Sequence, residues 1–174
     1  MAGNITEKYA ASSALTVTSL HSLASSQDWT AGWGSASIAN TSNNYQDYLI
    51  GATFTTHASN RQAGSINVYV VGALNDTPTF PATATGTLGT EGAVSFTDTE
   101  ERDSICRLLA SITVDNTASA ILAIPQTAIA QLFGGRMPSH FCLYVAQNAS
   151  TTTTAGLAAA GSAIYSTPIY SQYT

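Results

Sequence analysis

Apolar and polar residues alternate in two neighbouring segments near the middle of the chain. Apolar side chains occupy every second position from residue 48 to residue 54, and a similar row runs from residue 66 to residue 74. A period of two places such side chains on one buried face of a strand, with the others on a wetter face. The polar segment 57–64 lies between the two rows and ends in Gly64, which favours a chain reversal. The pattern predicts two strands joined by a turn, with Tyr69 on the wetter face of the second strand.

Shorter runs of the same kind, separated by turn-forming residues, predict additional strands. They lie at 14–20, 93–97, 104–114, 121–124, 140–146 and 162–170. The run at 121–124 is expected to end at Pro125, because proline has no amide proton for a central sheet ladder. One short helix is predicted after it. Thr127 is a suitable cap, an apolar face is shared by Ile129, Leu132 and Phe133, and Gly134-Gly135 favours termination.

About eight short strands and one short helix predict an all-β fold, a single-domain, jelly-roll-like antiparallel β-sandwich. A chain of 174 residues is long enough for one such domain. Residues 1–12 are polar and are predicted to form a flexible N-terminal arm, which leaves residues 13–174 for the sandwich.

The segment 75–98 is interpreted as a long excursion with one short strand, and the acidic run 98–103 as an exposed loop. The Thr- and Ala-rich segment 151–161 is predicted to be a flexible loop.

Charged residues are unusually scarce, which makes some classes of binding partner less expected than others. Charged residues make up 9% of the chain and the net charge is −5, whereas charged residues are about 25% of ordinary soluble domains. Because there is no basic patch, the chain is not expected to bind nucleic acid. Low charge is typical of surfaces that contact other proteins, although a merely polar, neutral surface has the same composition.

The sequence also bears on membranes and on the state of the cysteines. No apolar run approaches the ~18 residues of a membrane helix, and the first residues, MAGNITEKYAASS, lack the apolar core of a signal peptide. We therefore expect no membrane partner and synthesis in a cytoplasm. In that compartment Cys106 and Cys142, which both lie in strand-like runs, are expected to be buried thiols rather than a disulfide.

Recognisable catalytic motifs are missing from the sequence. It contains neither of the Gly-rich phosphate-binding motifs nor the nucleophile elbow of hydrolases. His21, His57 and His140 are far apart and have no partner at metal-site spacing. Two carboxylates suffice for glycoside hydrolysis, but the acidic run 98–103 has no apolar surroundings that would raise a carboxyl pKa. The sequence predicts that the protein is not an enzyme and that it has no catalytic residue, metal or cofactor.

An aromatic cluster offers a separate hypothesis. Trp29 and Trp33 lie in a Gly-punctuated segment, and Tyr45 follows shortly after. Such rings could form a stacking platform for a glycan, and Trp29, Trp33 and Tyr45 are the candidate glycan-binding residues. The alternative is that both tryptophans close one end of the core, which their large apolar area favours.

Several segments resemble small virion proteins of tailed bacteriophages. They are W-x-x-G-W-x-S-x-x-I-x-N-T, YxDYLIGATFTT, INVYVVGALNDTPTFP, LLASITVDNT and AIAQLFGGRMPSHFCLYVAQN, which together span about residues 29–148. The family comprises decoration or cement proteins that bind outside the major capsid shell. The resemblance implies a β-sandwich on the capsid surface, made in the host bacterial cytoplasm, whose partners are the major capsid protein and copies of itself, often as a homotrimer.

Two functions remain open at this stage. The first is a virion structural protein that stabilises the capsid without catalysis, and the alternative is a glycan- or receptor-binding module of a phage tail or head fibre. Extended ends can wrap a large area of a partner when they become ordered. The candidate residues for contacts with the capsid or with other subunits are Ile5, Tyr9, Ile169, Tyr170 and Tyr173. The alternative for these residues is that both ends are simply frayed.

Overall fold

The computed structural model describes residues 4–150 and 156–173, which form two antiparallel β-sheets around an apolar core. The strands are β1 (Ile5–Tyr9), β2 (Ser13–Ala14), β3 (Ala31–Gly34), β4 (Ile38–Ala39), β5 (Asp47–Thr55), β6 (Gly64–Gly72), β7 (Gly92–Ser95), β8 (Arg107–Val114), β9 (Ile121–Ala128), β10 (His140–Gln147) and β11 (Ala163–Tyr173). The helical elements are one α-helix, α1 (Thr99–Ile105), and two 3-10 turns, Thr18–Leu20 and Ala130–Phe133.

The strands divide into a five-stranded and a six-stranded sheet. The five-stranded sheet has the order β1-β11-β5-β9, with β2 beside β11. The six-stranded sheet has the order β7-β3-β10-β6-β8, with β4 beside β10. The prediction of an all-β antiparallel sandwich with a short helix is confirmed, and the jelly-roll connectivity stays a prediction. The two strands predicted first, β5 and β6, lie in different sheets, so the segment between them carries the chain from one sheet to the other.

Apolar side chains from both sheets fill the space between them. The predicted buried row of β5 is confirmed, since Tyr48, Ile50 and Phe54 are almost wholly buried. The row of β6 is confirmed as far as Val70, but Leu74 lies beyond the strand and is 68% exposed. Other large side chains that are fully buried in this core are those of Trp33, Phe141, Leu20, Ile66, Ile129 and Leu143.

A second apolar cluster covers the other face of the six-stranded sheet. Tyr69 and Tyr144, from β6 and β10, pack there against Val94, Phe96 and other residues of the long excursion. The prediction that Tyr69 faces water was wrong, because the excursion folds back over the sheet and leaves its side chain only 5% exposed. β6 and β10 are therefore buried on both faces, and they form the centre of the molecule.

The acidic run 98–103 was interpreted as an exposed loop, but it begins helix α1. Asp98 caps the helix, since its carboxylate accepts a hydrogen bond from the amide of Glu101 at 2.8 Å. The Glu101 carboxylate in turn accepts a hydrogen bond, at 2.8 Å, from the backbone amide of Thr97, the residue before the cap. This reciprocal arrangement resembles a capping box and satisfies amides that have no partner inside the helix. Arg102 is 7% exposed and packs over the Tyr69 ring, which fastens the helix to the second cluster.

Strand β9 does not end at Pro125 as predicted. It continues through Pro125 to Ala128 along β5. The register shifts between Ile50 and Ala52, so that two residues of β9 lie opposite Gly51. Because β9 is an edge strand and the ladder is already interrupted there, proline's missing amide proton costs no central hydrogen bond.

The predicted helix after β9 is a 3-10 turn, Ala130–Phe133, and is shorter than expected. Gly134 ends it in the left-handed conformation with a φ of +70°, which confirms the predicted termination. Thr127 is not its cap. One carboxylate oxygen of Asp47, at the start of β5, instead accepts hydrogen bonds from the amide of Ile129, just before the turn, at 3.0 Å and from the amide of Ala130, its first residue, at 2.8 Å. A cap supplied by a distant strand could not be found from local sequence.

Three segments near the ends of the chain also bear on the predictions. Residues 5–9 of the predicted arm form strand β1 along β11, and whether this arm detaches in solution stays a prediction. Of the strand predicted at 14–20, only Ala14 lies in a strand, β2, and Thr18–Leu20 form a 3-10 turn. Residues 151–155 of the predicted loop at 151–161 lie outside the described residues.

Candidate interaction face

One face of the five-stranded sheet points away from the core, and we call it the outer face. Alternation along each strand brings every second residue of β1, β11, β5 and β9 onto it. On β1 and β11, Ile5 lies opposite Tyr173 and Tyr9 lies opposite Ile169. Ile121 occupies the far edge of the same face on β9. The outer face is thus assembled from strands that are distant in sequence.

Exposed apolar side chains concentrate on the outer face. Five of the seven exposed large hydrophobic side chains in the described chain lie there, namely Ile5, Tyr9, Ile121, Tyr165 and Tyr173. Among the described residues, the strands place two charged residues, Glu7 and Asp47, on the outer face. The Asp47 carboxylate is already engaged with backbone amides. A tyrosine-rich surface that is poor in charge has the composition of the core of a protein interface.

The size of this apolar area can be estimated from its tyrosines. Tyr9, Tyr165 and Tyr173 are 62%, 43% and 71% exposed. At ~200 Å² for each aromatic side chain they present roughly 350 Å², to which Ile5 and Ile121 add. The three rings are spaced four residues apart along the direction of β11 and do not form one contiguous patch, whereas the largest contiguous apolar patch of a typical monomer is about 300–600 Å². A standard interface buries about 800 Å² on each partner, so a partner would also cover the neighbouring Thr and Ser positions.

The five-stranded sheet narrows to two strands at one end. β11 pairs with β5 only as far as Ile169, which lies opposite Asp47. Beyond that point the segment Tyr170–Tyr173 pairs with the segment Ile5–Lys8 alone. We call this two-stranded extension the terminal ribbon. Most of its side chains are exposed, but Tyr170 packs against Tyr45 and the Ser171 hydroxyl donates to Gln46 at 2.9 Å.

The structure brings together four of the five residues that were predicted to contact partners. Ile5, Tyr9 and Tyr173 are exposed on the outer face. Ile169 lies on the same face but is only 7% exposed. Tyr170 points to the opposite side of β11, where it packs against another tyrosine. Ile121 and Tyr165 also belong to the face, although sequence reasoning did not select them.

The candidate tryptophans do not form an exposed platform. Trp33 is fully buried in the core, and its indole Nε1 donates to the Glu91 carboxylate at 2.8 Å. Burial disfavours ionisation of Glu91, but hydrogen bonds from Trp33 and Ser19 outweigh this effect and lower the pKa of the carboxyl. Trp29 packs against the second cluster, and its carbonyl accepts the Tyr144 hydroxyl at 2.9 Å. The structure therefore places Trp33 in the core, which was the alternative to a glycan platform.

Tyr45 lies at the rim of a hollow instead. Its ring centre is 5.6 Å from that of Tyr48 and 6.2 Å from that of Tyr170. The loop is held in place by Asn40, whose side chain bonds both the amide and the carbonyl of Tyr45. The hollow has a volume of about 440 Å³, and its lining includes Asn43, Asn44, Gln46, Tyr170 and Ser171. Tyr45 is thus separated from both tryptophans and accompanied by amide side chains.

The histidines, cysteines and carboxylates are the remaining side chains that could bind a metal ion. Across residues 4–150 and 156–173, His, Cys, Asp and Glu form no group of three that could hold a metal ion. Cys106 and Cys142 are free and buried, as expected, and burial raises the pKa of each thiol to about 12. In the same residues no helix is long and apolar enough to cross a membrane.

Comparison of the chain with protein-family models and with curated proteins finds no match in either set. The fold and the site define an antiparallel β-sandwich whose exposed sheet face is apolar and nearly free of charge. The outer face and the hollow at Tyr45 are the two surface features that carry the functional proposals.

Proposed function

We propose that the protein is a structural component of a bacteriophage virion, a decoration or cement protein that binds outside the capsid shell and stabilises it without catalysis. Its proposed partners are the major capsid protein and copies of itself, as a homotrimer on the capsid surface. Synthesis in the host bacterial cytoplasm belongs to the same proposal. The main support is the outer face, where Ile5, Tyr9, Ile121, Tyr165 and Tyr173 are exposed together.

The physical requirements of a cement protein fit this fold. Such a protein must keep its shape while it joins neighbouring subunits of a shell. Central strands that are buried on both faces, as β6 and β10 are, resist deformation, because close-packed interiors are only slightly compressible. An outer face with only two charged residues among those described, Glu7 and Asp47, can contact a partner with little desolvation of charge. Many modest contacts of this kind, made by linked copies, add up to tight binding.

The proposal is tested with particles that lack the chain. Removing a cement protein is expected to lower the temperature at which particles release their DNA, and adding back the purified protein should restore it. A Tyr9→Ser, Tyr165→Ser variant should fail to restore it, because both substitutions fall on the outer face. Leu74→Ser is the matched control, since Leu74 is 68% exposed but lies outside both sheets. Particles that are equally stable without the chain would contradict the proposal.

A glycan- or receptor-binding module of a phage tail or head fibre remains the second candidate. The observation that favours it is the hollow at Tyr45, where two aromatic rings stand beside amide side chains. Pockets of roughly 300–1,000 Å³ with a few convergent polar groups are typical of ligand sites. The test is binding of the purified protein to host cells. Tyr45→Ala should abolish binding and Tyr165→Ala should preserve it, whereas equal binding by both variants would remove this candidate.

A further inference from the structure

We infer that the surface around Tyr45 binds an acidic saccharide, with the Tyr45 ring against a sugar and the Arg136 guanidinium on its carboxylate. This inference rests on the second candidate function and deepens it, because it names the class of glycan. The hollow of about 440 Å³ at Tyr45 adjoins another of about 710 Å³. Asn44, Tyr45 and Gln46 line both hollows and form the wall between them. We call the two hollows together the Tyr45 groove.

The wall of the groove is held in one conformation by the rest of the chain. Asn40 is 6% exposed, and its side chain bonds both the amide and the carbonyl of Tyr45. The Tyr45 hydroxyl accepts a hydrogen bond from the Asn43 side chain at 2.8 Å. Gln46 is bonded to β11 through its backbone amide and through its side chain. Because these groups are already ordered, a ligand loses little binding free energy in ordering them.

Arg136 supplies positive charge to the larger hollow. It is exposed and follows Gly134 and Gly135, whose φ values of +70° and +86° end the 3-10 turn. Within the described part of the chain, Arg136 has neither an ion pair nor a hydrogen bond. Arg61 and Arg102, by contrast, already donate to backbone carbonyls. The donors of Arg136 are therefore available, and a guanidinium can bind a carboxylate through two parallel hydrogen bonds.

The charges around the groove favour an anion. Among the described residues that line the two hollows there is no Asp or Glu. Lys8 lies opposite Tyr170, so alternation places it on the side of the ribbon that carries this lining residue. Asp47 follows Gln46, but its Oδ1 already accepts hydrogen bonds from three backbone amides. Charges beyond about 8 Å are screened at physiological ionic strength, so the local cations outweigh the net charge of −5.

The other lining residues match a saccharide better than other anions. They supply amide groups, a hydroxyl and a second aromatic ring, and they are Asn40, Asn43, Asn44, Gln46, Tyr170 and Ser171. Amide side chains both donate and accept hydrogen bonds, as sugar hydroxyls do. Aromatic rings offer a large apolar surface to the C–H groups of a sugar. A nucleic acid would instead require a row of cations along its phosphates.

The test is isothermal titration calorimetry of the full chain with matched pairs of probes. The probes are trimers of galacturonate, glucuronate and mannuronate, together with sialyllactose. Each is compared with its methyl ester, in which the carboxylates are uncharged and the rest of the sugar is unchanged. The wild-type protein should bind at least one acid roughly tenfold more tightly than its ester, because the ester loses the charge-assisted hydrogen bonds. This preference should decrease as the salt concentration rises.

Three variants assign the preference to the groove. Arg136→Gln should bind the acid no more tightly than the ester, and its affinity for the ester should equal that of wild type. Arg107→Gln is the matched control, since Arg107 is exposed on the six-stranded sheet, and it should keep the preference. Tyr45→Ala should lose binding of acid and ester alike. Near-ultraviolet circular dichroism should show that each variant is folded, and Arg136→Gln decides the test if Tyr45→Ala is not.

The outcomes separate this inference from the candidate function on which it rests. Equal binding of acid and ester by wild type, or a preference that survives Arg136→Gln, would overturn the inference and leave glycan binding in place. Failure of every acid to bind would also overturn it. The binding of Tyr45→Ala to host cells would then decide the second candidate separately.

Discussion

Arg102 provides the sharpest test of how the long excursion is fastened to the six-stranded sheet. Its guanidinium carbon lies 5.4 Å from the centre of the Tyr69 ring. Nη1 donates to the carbonyl of Asp28, and Nε donates to the Asp103 carboxylate at 2.8 Å. The Arg102 side chain is 8% exposed and the Asp103 side chain is 61% exposed. One residue thus joins helix α1, the segment before β3 and the face of β6.

The substitution Arg102→Ala removes these contacts together. A cation–π contact contributes about 0.5–2 kcal/mol, and a hydrogen bond from a charged donor contributes about 1.5–3 kcal/mol. The ion pair with Asp103 adds little, because that carboxylate is screened by water. We therefore expect a loss of about 2–5 kcal/mol in the free energy of unfolding, roughly 4–20 °C in Tm for a chain of this length.

The assay is urea denaturation followed by tyrosine and tryptophan fluorescence. Arg107→Ala is the matched control, since Arg107 is exposed at the start of β8 and should change the free energy of unfolding by less than about 0.5 kcal/mol. Arg102→Lys should lose an intermediate amount, because an ammonium group cannot reproduce the planar, forked donor set. A loss below about 0.5 kcal/mol for Arg102→Ala would refute the assignment of Arg102 as the fastening residue.

Three further predictions concern Asp47, the two cysteines and Glu91. Asp47→Ala should lower the free energy of unfolding by about 1–2 kcal/mol in urea denaturation, because it removes the cap of the 3-10 turn; an unchanged value would contradict that role. Cys106 and Cys142 should not react with a thiol reagent at pH 8 until the protein unfolds, since burial raises the pKa of each to about 12; rapid labelling of folded protein would contradict the burial. The Glu91 carboxyl has a folded pKa below its ordinary value of 4.5, so the stability it contributes is present above that value and is lost as the pH falls through the folded pKa. Glu91→Gln should therefore show a weaker loss of stability in acid than wild type, and identical acid profiles would refute the prediction.

The strands were predictable where a single face is buried. The row containing Ile50 and Phe54 alternates cleanly because β5 faces the core on one side and the outer surface on the other. β10 does not alternate, since the long excursion also covers its second face. Nothing in the local pattern of the excursion reveals that it folds back over the sheet. The wrong orientation for Tyr69 is a consequence of that long-range packing.

Helix α1 could have been found from the sequence. Asp98 and Glu101 stand at capping-box spacing, and this signal was outweighed by the expectation that charge runs are exposed loops. The capping of the 3-10 turn by Asp47 could not have been found, because the two are distant in sequence and meet only through the pairing of β5 with β9.

The candidate interaction face was only partly predictable. Ile5, Tyr9 and Tyr173 were selected because they are apolar and lie near the chain ends, and the register of β1 with β11 brings them together. Ile121 and Tyr165 were missed, since alternation within a strand does not reveal which strands become neighbours. Trp33 was selected as an aromatic residue in a Gly-punctuated segment, but β3 lies inside the six-stranded sheet and buries it.

The most direct test of the central claim is the copy number of this chain in purified particles, measured against the major capsid protein by quantitative mass spectrometry. A protein that covers the shell through its outer face should be present in numbers comparable with the major capsid protein. A handful of copies, or none, would contradict the assignment as a decoration protein.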